Sequence, residues 1–256
     1  MAPRPRTTHP RTARQSVRGT LLAVTGLAAL LLTACSGAPR QADGPAEGAP
    51  SGDPTAAHGC LNEPTAVFMG DSFTVGAGVD TESERWSTIV ARQQGWNEVN
   101  IAVSGSSYAV SNRVRPNTAY VDRVPEAIEA EPDFVVVSTA ANSADADQRA
   151  AIARTLGGLR DALPDTPIVA TSPFHRDDVP AERLDELGDE IRTAAEARTV
   201  EYLDLGYPLR GTVDTLSDGL HPNAEGYSII AGAFLAAYSA HEPSGPAFPD
   251  CGGPQD

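Results

Sequence analysis

From Cys60 onward the chain alternates short apolar runs with longer helical stretches, and this rhythm limits the folds open to it. The runs lie at 66–69, 99–103, 134–138, 168–171 and 200–205, and helical candidates fill the gaps at 84–94, 120–130, 147–163, 180–198 and 224–240. Phe134-Val135-Val136-Val137 is apolar at every position, as a strand covered by helices on both faces must be. Short connections between successive strand and helix units predict a parallel sheet with right-handed crossovers, hence a three-layer α/β/α sandwich. In such a sheet, functional groups collect outside the carboxyl ends of the strands. Residues that carry chemistry should therefore come directly after a strand.

The first 59 residues do not share the rhythm. An arginine-bearing start leads into a predominantly apolar run of twelve residues, Leu21 to Leu32, a length that suits a signal peptide better than a bilayer span. Leu32-Thr33-Ala34-Cys35 follows and resembles a bacterial lipobox, which predicts a signal peptide at 1–34 and a lipid on Cys35. An uncleaved anchor or an ordinary secretory signal are the alternatives. Lipidation would place the protein outside the cytoplasm, anchored to the bacterial cell membrane. Residues 35–59, rich in Pro, Gly and Ala, read as a spacer, and 60–251 as one domain with no internal repeat.

The remaining cysteines, Cys60 and Cys251, lie near the two ends of that domain, and an oxidising compartment favours a disulfide between them. Two free thiols are the alternative. All 19 basic residues are arginine, and five of them precede residue 20; without those, 14 basic residues face 34 acidic ones, a net charge of −20. So acidic a surface repels polyphosphate, which argues against a nucleic-acid partner.

Ser72 passes the positional test, following Gly70 and Asp71 at the end of the first apolar run. Taken alone, a serine after a strand is more often a turn or cap residue than a nucleophile. A serine hydroxyl becomes a nucleophile only when a base takes its proton. Of five histidines, His9, His58 and His241 fall in the signal, spacer and tail, and His175 lies in an acidic, proline-bearing stretch. His221 stands three residues after Asp218 on a loop entering the last helix, a spacing that can return the carboxylate to the imidazole. The competing reading is that Asp218, Pro222 and Asn223 only shape the turn and cap the helix. An acyl-transfer site also needs oxyanion donors; Gly105, after the second strand, offers an unobstructed backbone N–H and Asn142, after the third, a side-chain amide, while each taken singly is an ordinary loop residue.

In this order, Gly-Asp-Ser, Gly105, Asn142 and Asp-x-x-His-Pro resemble the blocks of the SGNH, or GDSL-type, esterase and lipase family. The likeness covers residues 64 to about 240. It implies a flavodoxin-like, five-stranded parallel sheet, with Ser72 as nucleophile, His221 as base and Asp218 orienting it. It also implies an oxyanion hole formed by the Ser72 N–H, the Gly105 N–H and the Asn142 amide. The third block departs from the family: Ala140-Ala141-Asn142-Ser143 stands where Gly-x-Asn-Asp is usual. Ala140 cannot relax into positive φ as glycine does, and Ser143 replaces a carboxylate that helps set the loop.

The resemblance points to hydrolysis of carboxylic esters through an acyl-serine, with a small-molecule or glycan-linked substrate. Gly105, Ser106, Ser107, Ala140 and Ala141 are compatible with short acyl groups. Transfer of the acyl group to a wall glycan, and a non-catalytic glycan-binding lipoprotein, are the other readings. No cysteine or histidine cluster has zinc spacing, and Gly76-Ala77-Gly78 lacks the third glycine of a dinucleotide fingerprint, so no metal or cofactor is expected. A monomer is expected. His175 through Glu190 reads as a solvated helix face, and Trp86 as core.

Overall fold

The computed structural model describes residues 63–249, apart from 145, 175 and 213–215. The signal peptide, the spacer, Cys35, Cys60, Cys251 and His175 lie outside the described residues.

Five parallel strands, β1 (Thr65–Met69), β2 (Asn97–Asn100), β3 (Phe134–Val137), β4 (Ile168–Thr171) and β5 (Glu201–Leu203), form one sheet in the order β2-β1-β3-β4-β5. This is the doubly wound, flavodoxin-like order. The chain leaves β1 for one edge and then crosses back, so its direction of winding reverses between β1 and β3. The helices are α1 (Ser72–Val75), α2 (Trp86–Gln94), α3 (Val124–Glu129), α4 (Arg149–Ala162), α5 (Ala181–Glu196) and α6 (Ala224–Ala240).

Alternation along the strands builds two cores. Val67, Met69, Val135, Val137, Ile168 and Ala170 pack against Ile152, Leu156 and Leu159 of α4 and Leu184, Leu187 and Ile191 of α5. The other face, Ala66, Phe68, Phe134, Val136 and Val169, meets Trp86 and Val90 of α2 and Tyr227, Ile230 and Phe234 of α6. Trp86 is fully buried and packs on Phe68, Phe174 and Phe234 with centroids 5.5–5.6 Å apart, so it is core. Among the described residues no helix is long and apolar enough to cross a membrane.

The second strand differs from the sequence expectation. Its ladder runs over the polar Asn97–Asn100, not over 99–103, because β2 is an edge strand paired only with β1 and its register there ends at Asn100. Ile101 and Val103 are buried and still donate to Phe68 and Gly70, but they belong to the loop. Apolar content marked the buried stretch, whereas the hydrogen-bonded ladder starts two residues earlier. The expected helix at 120–130 is a 3-10 turn over Tyr120–Arg123 running into α3, with a proline in its first turn.

Candidate active site

Ser72 opens α1, a single turn directly after β1. Ser72 does not cap the turn; Asp71 does, its Oδ1 accepting from the Phe73 N–H at 3.1 Å. Oδ2 of the same carboxylate accepts from the Ala140 N–H at 2.7 Å and the Tyr120 hydroxyl at 3.2 Å. Asp71 is fully buried and thereby joins the loop after β1 to the loop after β3. Burial pushes its carboxyl above the ordinary range, against the pull of these donors. Ser72, next in the chain, is 6% exposed.

His221 arrives from the far end of the chain on a closed loop, with Ser217 N–H bonded to the His221 carbonyl at 2.9 Å and Leu216 bridged to Pro222. Asp218 does both things expected of it. Its Oδ1 accepts the Leu220 and His221 N–H groups at 3.0 and 2.7 Å, shaping the turn, while Oδ2 lies 2.8 Å from His221 Nδ1. The hydrogen bond from His221, helped by the two backbone donors, holds the Asp218 carboxyl well below the usual range. A carboxylate on Nδ1 fixes the tautomer that leaves Nε2 as acceptor. Asn223 caps α6 by accepting from the Gly226 N–H at 3.0 Å, so the capping reading holds for Asn223 beside the pairing.

This loop rests on the segment that carries Ser72. The His221 ring lies 6.0 Å from the Phe73 ring, and the Tyr227 hydroxyl of α6 donates to the Ala77 carbonyl at 2.8 Å. Gly78 has φ +103°, and a Cβ there would come within 2.4 Å of the Pro222 carbonyl and 3.1 Å of His221 Cβ. The glycine admits the close approach of two segments far apart in the chain.

Gly105, after β2, has φ +71°. The Ser104 carbonyl, on the same peptide as the Gly105 N–H, accepts from Asn112 Nδ2 at 2.7 Å, which fixes the plane of that peptide. Ser106 is held in turn by Arg123, buried with its guanidinium on the Gly70, Ile101 and Thr118 carbonyls and on Ser106 Oγ. Asn142 Nδ2 donates to the Ser106 carbonyl at 3.1 Å, so the loops after β2 and β3 meet at this amide. Arg176 reaches its other end, with Nη1 2.9 Å from Asn142 Oδ1.

The altered third block has its strain elsewhere than at Ala140. Left-handed φ values fall on Ala141 (58°) and Ser143 (55°), and Ala140 is not among the residues with positive φ. A side chain in that region costs roughly 1–2 kcal/mol. The surroundings over-determine the loop: Ala141 N–H bonds Thr139 Oγ1, and Gln148 Nε2 holds the Asn142 and Ser143 carbonyls. Ser106, Ser107, Ala140 and Ala141 are buried. A recess of about 240 Å³ beside Asn142 is lined by Ala141 to Ala144 with Arg176, Asp178, Val179 and Pro180. A cavity of about 640 Å³ next to Arg115 and Arg123 contains none of Ser72, Gly105, Asn142, Asp218 or His221.

Sequence reasoning missed Asp71, Asn112, Arg123 and Arg176. Asp71 had a signal, since an aspartate before a single turn is a cap. Asn112 acts within the loop after β2, and Arg123 and Arg176 reach the site through contacts between distant segments. The stretch beginning at His175 is not wholly solvated either: the Arg176 side chain is 12% exposed and directed inward. Among the described residues no group of three or more His, Cys, Asp or Glu could hold a metal ion.

Residues 68–229 match the model of the GDSL-like lipase/acylhydrolase family, which is more than half of the sequence. The chain belongs to this family. No match was found among curated proteins. Similar solved structures include one termed a GDSL-like lipase from Bacteroides ovatus, 17% identical with a TM-score of 0.55 over 69% of this chain and 53% of that one. Another is Est24, a carbohydrate acetylesterase from Sinorhizobium meliloti, 15% identical with a TM-score of 0.53 over 70% of this chain and 99% of that one. A third is the salicylyl-acyltransferase SsfX3 of a tetracycline biosynthetic pathway, 22% identical with a TM-score of 0.54 over 71% of this chain and 56% of that one. The chain thus spans about half the length of the first and third. At these identities the structures share its fold.

Proposed function

We propose that this GDSL-family chain is a serine esterase that cleaves carboxylic esters through an acyl-serine. The observation that carries the reading is the His221–Asp218 pair seated against the segment that begins at Ser72. Ser72 Oγ attacks the ester carbonyl while Nε2 of His221 takes its proton, and Asp218 stabilises the imidazolium. The oxyanion is received by the Ser72 and Gly105 N–H groups and Asn142 Nδ2. Collapse expels the alcohol, which takes the proton from Nε2. Water, deprotonated by the same nitrogen, then attacks the acyl-serine, releasing the acid and restoring the hydroxyl.

A phosphonate probe should label Ser72, and the serine's replacement by alanine should lower turnover on p-nitrophenyl acetate by ~10⁶. A Ser72→Ala protein as active as wild type overturns the reading. Transfer to a hydroxyl acceptor is the second reading, supported by the fold shared with an acyltransferase; it predicts acylated acceptor in excess of free acid when a sugar is supplied. The reading includes export, with a lipid on Cys35 and a Cys60–Cys251 disulfide. Mass spectrometry of the membrane fraction tests both.

A further inference from the structure

Asn142 must present one particular end of its amide to an oxyanion, yet an amide can rotate by half a turn at little steric cost. The two ends differ chemically: Nδ2 donates and Oδ1 accepts. Flipped, the group would aim an oxygen at developing negative charge.

Arg176 has no acceptor and meets the amide only at Oδ1, at 2.9 Å. The same Nη1 also donates to the Ala140 carbonyl at 3.2 Å, so one nitrogen grips the loop at two points. At the opposite end the Ser106 carbonyl, which can only accept, takes one of the two Nδ2 hydrogens at 3.1 Å. Both neighbours thus select one orientation, and among the described residues the second Nδ2 hydrogen has no acceptor. Arg176 is itself held by Asp178, whose Oδ1 and Oδ2 lie 2.9 and 2.5 Å from Nε and Nη2. That fork occupies the charge and fixes the guanidinium plane. The hydrogen bond from Arg176 also holds the Asp178 carboxyl below its usual range.

We infer that Arg176, braced by Asp178, is a positioning residue that locks the Asn142 amide in its donating orientation, taking over the loop-setting role for which Ser143 has no carboxylate. The inference rests on the esterase reading for its kinetic consequence. Arg176 touches no reacting atom and acts only through Asn142.

The test compares Arg176→Met and Arg176→Lys with wild type on p-nitrophenyl acetate, alone and in an Asn142→Ala background. Arg176→Met should lower kcat by ~10–100-fold, less than the ~10²–10³ of losing a donor outright, with KM within about twofold. Lysine should rescue only part of it, since an ammonium cannot hold Asp178 by a fork and bond the amide in one geometry. In the Asn142→Ala background the Met substitution should change kcat by less than about threefold, because its route is gone. The ¹⁵N side-chain amide resonances of Asn142, assigned by their loss in Asn142→Ala, should shift or broaden in Arg176→Met. That readout needs no activity. A wild type without esterase activity would overturn the proposed function while the resonances still decide on the lock. Unchanged resonances, or an equal kcat loss with and without Asn142, would overturn the lock.

Discussion

Removing the Asp71 carboxylate should loosen the fold and the site together, because its two oxygens serve different segments. Oδ1 satisfies the Phe73 N–H, and Oδ2 the Ala140 N–H and the Tyr120 hydroxyl. In Asp71→Ala the tyrosine keeps its bond to the Ser138 carbonyl at 3.0 Å, but the two N–H donors are left buried. At about 1–3 kcal/mol for each, the loss is about 2–6 kcal/mol, a large share of the ~5–15 kcal/mol typical of a domain. With a urea m-value near 2 kcal/mol/M the midpoint should fall by roughly 1–3 M. Asp71→Asn should be milder. Its single carbonyl oxygen can serve Ala140 and Tyr120 while the cap is lost, at about 0.5–2 kcal/mol, and the buried charge is gone. The sign of the pH effect follows from the raised carboxyl. The native state takes up a proton before the unfolded chain does, so wild type should gain stability relative to Asp71→Asn as pH falls toward the ordinary value of 3.8, and lose it as pH rises. Urea melts of the three proteins between pH 4 and 8 measure this. An Asp71→Ala midpoint equivalent to less than about 1 kcal/mol from wild type would refute the assignment of both N–H groups to this one acceptor.

Three further outcomes are expected. Gly78→Ala, which forces a Cβ into the Pro222 carbonyl and Ser217 Oγ at 2.4 Å, should displace the His221 loop and lower kcat at least ~10-fold, while the circular dichroism spectrum stays native; wild-type kcat would contradict the packing. Glu201 anchors the C-terminal segment, accepting from His241 Nε2, the Ser244 N–H and hydroxyl and the Gly245 N–H at 2.8–2.9 Å, so Glu201→Ala should expose 241–249 to protease in limited digestion. Burial raises the Glu201 carboxyl but its donors outweigh this and leave it lowered; the stability it supplies is present above the usual value of 4.5 and lost as pH falls through the lower native one, so the two proteins should converge in acid melts.

Much of the fold was legible because strand and helix periodicities are local. The fully apolar β3 and the capped α6 were found where the pattern put them, and α6 spans the expected 224–240. Burial and pairing parted company at β2, since a ladder needs a neighbouring strand and apolar content alone does not show where that neighbour ends. Ser72, Gly105 and Asn142 stood out by their order after the first three strands and Asp218 and His221 by their place before the last helix, and the Asp218–His221 spacing specified a contact within a single turn.

What the sequence by itself determined was the set of groups reachable through short-range rules: alternation, caps, a three-residue spacing, and the end of the sheet where loops gather. Tertiary structure alone decided which groups hold those in place. Asp71 joins two loops separated by 69 residues, Arg176 meets Asn142 across 34, and Gly78 receives the turn of His221 from the opposite end of the domain. Such contacts depend on how the strands are ordered and how the loops above them pack, and a hydrogen bond between distant residues leaves no periodic trace in the chain.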